Sequence, residues 1–317
     1  MLLVTGGTGF VGGYILEALQ NKMPREEVRV FARRGRELDA LRGQGYQVAV
    51  GSVTGLDGLR RAMQGVDTVI HLVAIIREVK GRGQTFDRVI GEGAENVAAI
   101  AKEAGVKRII FMSALGVTNM STPYYRNKMR GEEAVRATDI PYTIFRPSIQ
   151  IGPGGEFTGL LKQLTAFPVV PVLGPGDYPV QPMYVRDTAR YFAQAVDDER
   201  FVNQTFEVGG PETLAYKEMV RQTLEARGKK GVLLHVPLPL VRPVIPVIDR
   251  VMPKLITKDQ FTMLLEGSAT EDTRLQEIGG FEMTPFRKAI EIALKTRPPA
   301  TYAKARVTRK AAGKAAR

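Results

Sequence analysis

The sequence predicts an α/β fold in which a doubly wound parallel sheet is followed by a smaller C-terminal lobe. Apolar runs of strand length alternate with segments of helical periodicity in the first half of the chain, the pattern of repeated strand-helix-strand units. A glycine-rich turn follows the first run, and glycine and proline become frequent after Pro147. The 317 residues allow one large core and an added lobe, because single domains commonly hold ~100–200 residues.

The predicted elements follow the order of these runs. Strands are expected at Leu2–Thr5, Val28–Ala32, Gln47–Val50, Thr68–Val73, Arg108–Ser113 and Tyr142–Arg146. Helices are expected at Tyr14–Asn21, Leu56–Met63, Phe86–Ala104 and Lys128–Ala137, several with a glycine near their C-terminus. Beyond the loops, helices start near Asp187, as an N-cap, and near Ala215. We therefore divide the chain into a sheet domain (1–148, including helix 128–138), a mixed α/β lobe with C-terminal helices (149–295) and a basic, disordered tail (296–317).

Composition excludes several classes of function. Hydrophobic residues make up 44% and charged residues 25%, as in folded, soluble proteins. The absence of cysteine excludes disulfides, thiolate metal sites and cysteine nucleophiles, and it fits a cytoplasmic protein. No segment approaches the ~18 uncharged apolar residues of a membrane span. His71 and His235 lie far apart on apolar backgrounds, so no metal site is expected and His71 is expected in the core.

The formal net charge of +12 is concentrated at the C-terminus. From Thr296 onward the charged side chains are seven cations, Arg297, Lys304, Arg306, Arg309, Lys310, Lys314 and Arg317. Neither a helix-turn-helix pattern nor aromatic RNA-binding residues accompany them, so nucleic acid is not an expected partner.

The glycine-rich turn predicts a dinucleotide site. Gly6, Gly7, Gly9 and Gly12 stand between an apolar strand and an amphipathic helix, where a chain must turn sharply and approach a pyrophosphate closely. The helix N-terminus would then present N–H groups to the phosphates. An ordinary tight turn is the alternative, but strand, spacing and helix all agree with a Rossmann-type site. The expected cofactor contacts are Gly6, Thr8, Gly9, Phe10, Val11 and Gly12.

The end of the second strand favours NADP(H) over NAD(H). NAD sites commonly place an acidic residue there for the ribose 2′-hydroxyl, whereas this chain has Arg33 and Arg34. Two guanidinium groups could pair with a 2′-phosphate. The alternative is that both arginines are only solvated, in which case NAD(H) is also possible.

Several motifs together resemble a known family. They are GGTGFVG (Gly6–Gly12), HLVA (His71–Ala74), FMSALG (Phe111–Gly116), YYRNK (Tyr124–Lys128), FRPSIQIGPG (Phe145–Gly154) and KDQFTMLLEG (258–267). As a set, over residues 1–295, they resemble the extended and atypical short-chain dehydrogenase/reductases, in particular the branch with the nucleotide-binding accessory subunit of mitochondrial complex I and its bacterial relatives. The resemblance implies a Rossmann domain that holds NAD(P)(H) beneath a C-terminal lobe.

Tyr124 and Lys128 are the main catalytic candidates. They are spaced i and i+4 near a helix start, so both side chains fall on one face, where the lysine would lower the tyrosine pKa. The resemblance implies an acid/base tyrosine and a lysine that grips the nicotinamide ribose. The alternative is a packed tyrosine and a solvated lysine. Tyr125 is a weaker candidate, because its i+4 partner is Met129.

Further site residues follow from the resemblance. It implies a serine or threonine after the fifth strand, and Ser113 is the candidate, although an epimerase-like alignment would put Ala114 there. Backbone contacts with the nicotinamide are expected around Pro147 and Ile149. Adenine contacts are expected from Ser52, Val53, Leu72, Val73 and Ala74, with Ser52 where the family more often has an acidic residue.

Three functions remain open from the sequence. The first is an NADP(H)-dependent oxidoreductase acting on a carbonyl, hydroxyl or quinone-related substrate. The second is a non-catalytic, nucleotide-stabilised accessory or assembly factor of a respiratory, complex I-like membrane complex. The third is a nucleotide-sugar epimerase or dehydratase. The substrate itself is not predicted.

The segment 232–252, VLLHVPLPLVRPVIPVIDRVM, is apolar but interrupted by four prolines and three charges, so it cannot span a membrane as a helix. A buried strand and loop closing the lobe is the favoured interpretation. The alternative is an exposed segment that, with the basic tail, docks peripherally on the inner face of an anionic membrane.

Overall fold

A computed structural model describes residues 1–33, 35, 37–251 and 256–300; the predictions for Arg34 and for the tail beyond residue 300 lie outside the described residues. The strands are β1 (Leu2–Thr5), β2 (Val28–Ala32), β3 (Gln47–Val50), β4 (Thr68–His71), β5 (Arg108–Met112), β6 (Tyr142–Pro147), β7 (Gln150–Ile151), β8 (Val169–Leu173), β9 (Pro179–Val180), β10 (Met183–Tyr184), β11 (Gln204–Val208), β12 (Leu214–Ala215) and β13 (Val232–Val236).

The helices are α1 (Phe10–Leu19), α2 (Glu37–Gly43), α3 (Leu56–Met63), α4 (Gly93–Glu103), α5 (Pro123–Arg136), α6 (Glu156–Leu164), α7 (Val185–Gln194), α8 (Tyr216–Ala226), α9 (Leu238–Val241), α10 (Ile245–Val251), α11 (Lys258–Glu266), α12 (Arg274–Gly279) and α13 (Phe286–Lys295). A π-helical segment, Asp87–Glu92, leads into α4.

Seven parallel strands form the central sheet, in the order β11-β6-β5-β4-β1-β2-β3. Alternate residues of β1 enter opposite cores: Leu2 and Val4 pack on the side of α1 and α7, and Leu3 packs on the side of α3 to α5. Helices therefore cover both faces, which explains the apolar character of the strands. The predicted doubly wound α/β fold is confirmed.

Most predicted bounds match the structure, and the differences have local causes. β1, β2, β3 and α3 begin and end at the predicted residues, whereas β4 stops at His71. α1 starts at Phe10 instead of Tyr14, because Gly9 is its extended N-cap and the following glycines are already helical. α5 starts at Pro123 instead of Lys128, where the Thr122 side chain accepts a hydrogen bond from the Tyr125 N–H.

The seventh strand comes from beyond the predicted domain boundary. β11 pairs in parallel with β6, from Gln204 opposite Thr143 to Val208 opposite Pro147. A division at residue 148 therefore does not separate the sheet from the lobe. The crossover between β6 and β11 contains α7, which packs on α1. This crossover is much longer than that of a simple strand-helix-strand unit, so the sequence pattern did not predict β11.

The lobe is built on small two-stranded pairings and on the mutual packing of α6, α8 and α13. Its largest pairing is β8 with β13, which run in parallel. The favoured interpretation of segment 232–252 as a buried strand and loop is wrong for the described residues 232–251: β13, α9 and α10 form, but Val232 is 70% exposed and Val251 is 70% exposed.

The prediction that Asp187 is an N-cap is also wrong. Tyr184 is the N-cap of α7, and Asp187 lies within the first turn, where it is buried. Its Oδ2 atom accepts a hydrogen bond of 2.7 Å from the backbone N–H of Thr284, just before α13. The residue thus fastens the C-terminal helices to the sheet domain.

We expect Asp187→Ala to lower the free energy of unfolding by about 1–3 kcal/mol, because the partly buried Thr284 N–H would lose its acceptor. Urea denaturation followed by circular dichroism measures this change. The control is Asp197→Ala, which removes an exposed ion pair with Lys22 and should cost no more than about 1 kcal/mol. Equal losses in the two variants would contradict the role of Asp187.

Candidate cofactor and catalytic site

The turn between β1 and α1 leaves no room for a side chain at Gly12 and little room at Gly6. A Cβ atom on Gly12 would lie 2.3 Å from the Gly6 carbonyl oxygen and 2.7 Å from the Gly7 Cα. Gly6 has φ +78°, a left-handed conformation that favours glycine, and its Cβ would lie 3.2 Å from the backbone at Leu72 and Val73. The turn is therefore a tightly closed loop against the segment after β4.

The N-terminus of α1 is suited to an anion. Gly9 is exposed, and no described side chain caps the helix. The first turn also lacks acidic residues. Backbone N–H groups and the positive end of the helix dipole can therefore face a pyrophosphate. Thr8, Phe10 and Val11 are only partly buried, consistent with the predicted contacts.

The predicted adenine side lies at the carboxyl ends of β2, β3 and β4. Arg33 follows β2 and is exposed. Ser52 Oγ lies 2.9 Å from Thr54 Oγ1. Val53 is buried, and its carbonyl accepts a hydrogen bond from Asn96. Leu72 is buried as well, so any contact there is made mostly by backbone, while Val73 and Ala74 are more exposed.

The structure places Tyr124 in a mainly apolar cluster. Its ring is partly exposed and packs edge-on against Phe86, while Ala114 and Met263 of α11 lie in the same cluster. Burial of its hydroxyl group raises the pKa of Tyr124 to about 12. The expectation that the lysine lowers this pKa is wrong for the structure, because burial dominates. Tyr124 is therefore protonated at neutral pH.

Lys128 is buried instead of solvated. It is 2% exposed, its Nζ donates a 2.6 Å hydrogen bond to the Met112 carbonyl, and it lies over the Phe111 ring. Burial lowers the pKa of Lys128 to about 8, and the Glu132 carboxylate partly opposes this shift. A lysine anchored to the end of β5 has a fixed position near the carboxyl edge of the sheet.

His71 is a core residue, as predicted. It is 2% exposed, and its Nδ1 lies 2.6 Å from Thr5 Oγ1. Burial, with a contribution from Lys128, lowers the pKa of His71 to about 3. The ring is therefore neutral. It fills the space between the ends of β1 and β4, stacked on Phe111.

Ser113 faces inward toward a charge cluster that the sequence analysis did not identify. Its Oγ makes no hydrogen bond of standard geometry with a described atom, but it lies close enough to Glu132 to lower the pKa of that carboxyl group. Glu132 is fully buried and accepts two hydrogen bonds from Arg146, at 2.9 and 2.8 Å. Arg136 donates a third, at 2.8 Å.

The charges around Glu132 decide its protonation. Burial would raise the pKa of Glu132, but the hydrogen bonds and charges of Arg146, Ser113 and Arg136 lower it below its usual value. The cluster ties α5 to β6 and, through Arg146 and Glu207, to β11. The sequence offers one indication of this cluster: Glu132 follows Lys128 by four residues, just as Lys128 follows Tyr124 by four.

The predicted nicotinamide side joins three segments. The Pro147 carbonyl accepts from the Leu115 N–H at 3.0 Å, and the Ile149 carbonyl accepts from the Met183 N–H at 2.9 Å. Between them, Ser148 Oγ donates to the Ser268 carbonyl at 2.9 Å. Ser268, just after α11, is a neighbour that the sequence did not indicate. The segment from Pro147 to Ile149 is therefore held by the lobe.

Within the described ranges 1–33, 35, 37–251 and 256–300, no group of three or more His, Cys, Asp or Glu side chains is placed to hold a metal ion. Over the same ranges, no helix has the length and apolar character needed to cross a membrane.

These features define a Rossmann-type dinucleotide site, with the glycine turn, the segment after β4 and the end of β5 side by side at the carboxyl edge of the sheet. Residues 6–155 match the model of the NAD(P)H-binding family. The predicted resemblance and the predicted NAD(P)(H) cofactor are confirmed.

The chain is similar to the (4-alkanoyl-5-oxo-2,5-dihydrofuran-3-yl)methyl phosphate reductase of Streptomyces griseus, with 29% identity over 72% of this chain and 74% of the relative. It is also similar to the mitochondrial NADH dehydrogenase [ubiquinone] 1 alpha subcomplex subunit 9 of Arabidopsis thaliana, with 27% identity over 86% and 71% of the two chains. The triphenylmethane reductase of Citrobacter sp., solved with NADP(H), has the same fold, with a TM-score of 0.76, 22% identity, and coverage of 92% and 100%.

We expect Gly12→Ala to abolish binding of NADPH and NADH, because the added methyl group would lie 2.3 Å from the Gly6 oxygen and force the phosphate turn open. Isothermal titration calorimetry measures this loss. The control is Gly159→Ala in α6, where nothing lies within 4 Å of the new methyl group. That variant should bind as the parent does, and unchanged binding by Gly12→Ala would contradict the assignment of the turn.

Proposed function

We propose that this protein is an NADP(H)-dependent reductase of a carbonyl or quinone-type substrate. The observation that carries the proposal is the arrangement at the carboxyl edge of the sheet. A protonated tyrosine stands one helical turn before a lysine that is anchored to the end of β5, two strands from the phosphate turn. Bound NADPH would supply a hydride to the electrophilic carbon of the substrate.

The chain's own residues would supply the proton and the positioning. Negative charge would develop on the substrate oxygen during reduction, and the Tyr124 hydroxyl, protonated at neutral pH, would donate its proton there. The Lys128 ammonium, held at the Met112 carbonyl, would stabilise the resulting phenolate and hold the nicotinamide ribose. Ser113 remains a candidate for orienting the substrate oxygen, although its hydroxyl lies beside Glu132.

The preference for NADPH rests on the cationic end of β2. We expect NADPH to bind more tightly than NADH, and we expect Arg33→Asp to reduce or reverse that preference by removing a phosphate partner and adding a repulsive charge. Dissociation constants of both nucleotides, measured by fluorescence titration, test this. Arg29→Asp would be a poor control because Arg29 bonds the Ala62 and Gln64 carbonyls, so the control is Arg42→Asp at an exposed position on α2. Equal affinities for the two nucleotides would overturn the preference.

A measurement of NADPH oxidation distinguishes a reductase from a protein that binds the nucleotide without catalysing a reaction. We expect NADPH oxidation with menadione or benzaldehyde as probes, and a fall on the order of 10²-fold or more in Tyr124→Phe, because the proton donor is removed. Absorbance at the NADPH band follows the reaction. The control is Tyr125→Phe, the same change at the neighbouring buried residue. An equal rate in Tyr124→Phe and the parent would remove Tyr124 from the mechanism.

The second candidate function is a nucleotide-stabilised accessory or assembly factor of a respiratory membrane complex. The specific observation in its favour is the similarity to the Arabidopsis NADH dehydrogenase subunit over 86% of this chain. It predicts nucleotide binding without any dependence of function on Tyr124. An epimerase or dehydratase would instead have to regenerate its cofactor within one turnover.

We also propose a peripheral position at the inner face of the membrane. The seven cations from Arg297 onward would attract anionic lipid, where each contributes roughly 1 kcal/mol close to the surface. Such an attraction is long-range and weakened by salt. It would fit either candidate function, because a quinone-type substrate and a respiratory complex are both found at membranes.

A further inference from the structure

One face of the lobe exposes apolar side chains on paired strands. In the β8–β13 pair, Val169 lies opposite Val232 and Pro171 lies opposite Leu234. All four are exposed, Val232 at 70% and Leu234 at 54%. The alternate residues of β8, Val170 and Val172, are fully buried in the core. Because the side chains of a strand alternate between its two faces, the ribbon has a packed inner face and an apolar outer face.

The helices after β13 continue the exposed apolar character. Val244 directly precedes α10, and Val247 and Val251 lie one turn apart on the helix; the three side chains are 47%, 59% and 70% exposed. Ile245 of the same helix is buried. Eight residues form what we call the apolar surface: Phe167, Val169, Val232, Leu234, Leu240, Val244, Val247 and Val251.

This concentration is unusual within the described part of the chain. Thirteen large hydrophobic residues there are exposed, and eight of them come from the segments 167–169 and 232–251. Single exposed apolar residues need no explanation, whereas a concentration of them in neighbouring segments indicates an interaction surface. The remaining five lie between Val50 and Met120, in the N-terminal half of the chain.

The charges along the segment that carries most of the apolar surface are predominantly positive. Between residues 227 and 251 the chain carries five cations, Arg227, Lys229, Lys230, Arg242 and Arg250, and one acidic residue, Asp249. A two-fold contact between two copies of this surface would bring cations against cations. An anionic bilayer complements both the charges and the apolar side chains.

We propose that the apolar surface inserts shallowly into an anionic lipid bilayer, an inference that rests on the proposed membrane attachment. β13 and α10 then provide apolar contact, and Arg242 and Arg250 contact lipid phosphates. The basic tail contributes only electrostatic attraction to the anionic lipid. The two contributions differ in their response to salt, because insertion of apolar side chains is not screened.

The test is flotation of the full chain with vesicles of equal parts phosphatidylcholine and phosphatidylglycerol, or of phosphatidylcholine alone, at low and high salt. The surface variants are Val232→Ser with Leu234→Ser, and Val247→Ser with Val251→Ser. A third variant ends at Thr296. Leu56→Ser, on α3 and 42% exposed, is the matched control. NADPH titration of each variant checks that the fold is retained.

We expect the parent and Leu56→Ser to float with the anionic vesicles and to retain part of this binding at high salt. Each surface variant should lose binding on the order of tenfold at both salt concentrations. The variant ending at Thr296 should lose binding mainly at low salt.

Three results would overturn the inference. If the surface variants float like the parent while the truncated chain does not, the tail alone attaches the protein, and membrane attachment stands without the surface. If no form floats, both proposals fail. If the surface variants instead convert a dimer to a monomer in light scattering, and leave flotation unchanged, the surface is a contact between copies.

Discussion

The close approach of α1 to the end of β1 is the constraint on which the rest of the site depends. At Gly12 the helix passes so near the Gly6 carbonyl that only hydrogen fits. This contact fixes the direction of α1, and with it the N–H groups that face the phosphates. It also presses Gly6 against the backbone at Leu72 and Val73, so the ends of β1 and β4 share one surface.

The same edge of the sheet explains why the catalytic candidates are buried to different degrees. β5 ends beside β4, and Lys128 reaches from α5 to the Met112 carbonyl at that end. This placement removes the ammonium group from water, which lowers the pKa of Lys128, and the Glu132 carboxylate partly opposes this shift. Tyr124, one turn earlier, stays at the border of the protein, where Met263 of α11 covers it from the lobe.

Sequence periodicity was sufficient for the first six strands because each is mostly apolar and a helix lies between each consecutive pair. It failed for β11, whose sequence QTFEV alternates and whose partner lies about sixty residues earlier in the chain, as with Phe206 opposite Phe145. The spacing of Tyr124 and Lys128 was readable from the chain. Their pKa values were not, because burial by Phe86, Met263 and the sheet, not the spacing, determines them.

The parallel pairing of β11 with β6 has a consequence for how the domain can be cut. A fragment that ended near residue 155, where the match to the NAD(P)H-binding family ends, would keep the phosphate turn, Tyr124 and Lys128. It would also leave the outer edge of β6 with unpaired N–H and carbonyl groups, and it would expose Phe145, which packs against Phe192, Phe201 and Phe206. Such an edge is a template for intermolecular strand pairing. The nucleotide domain of this protein is therefore discontinuous in sequence, and it would aggregate if isolated as its N-terminal half.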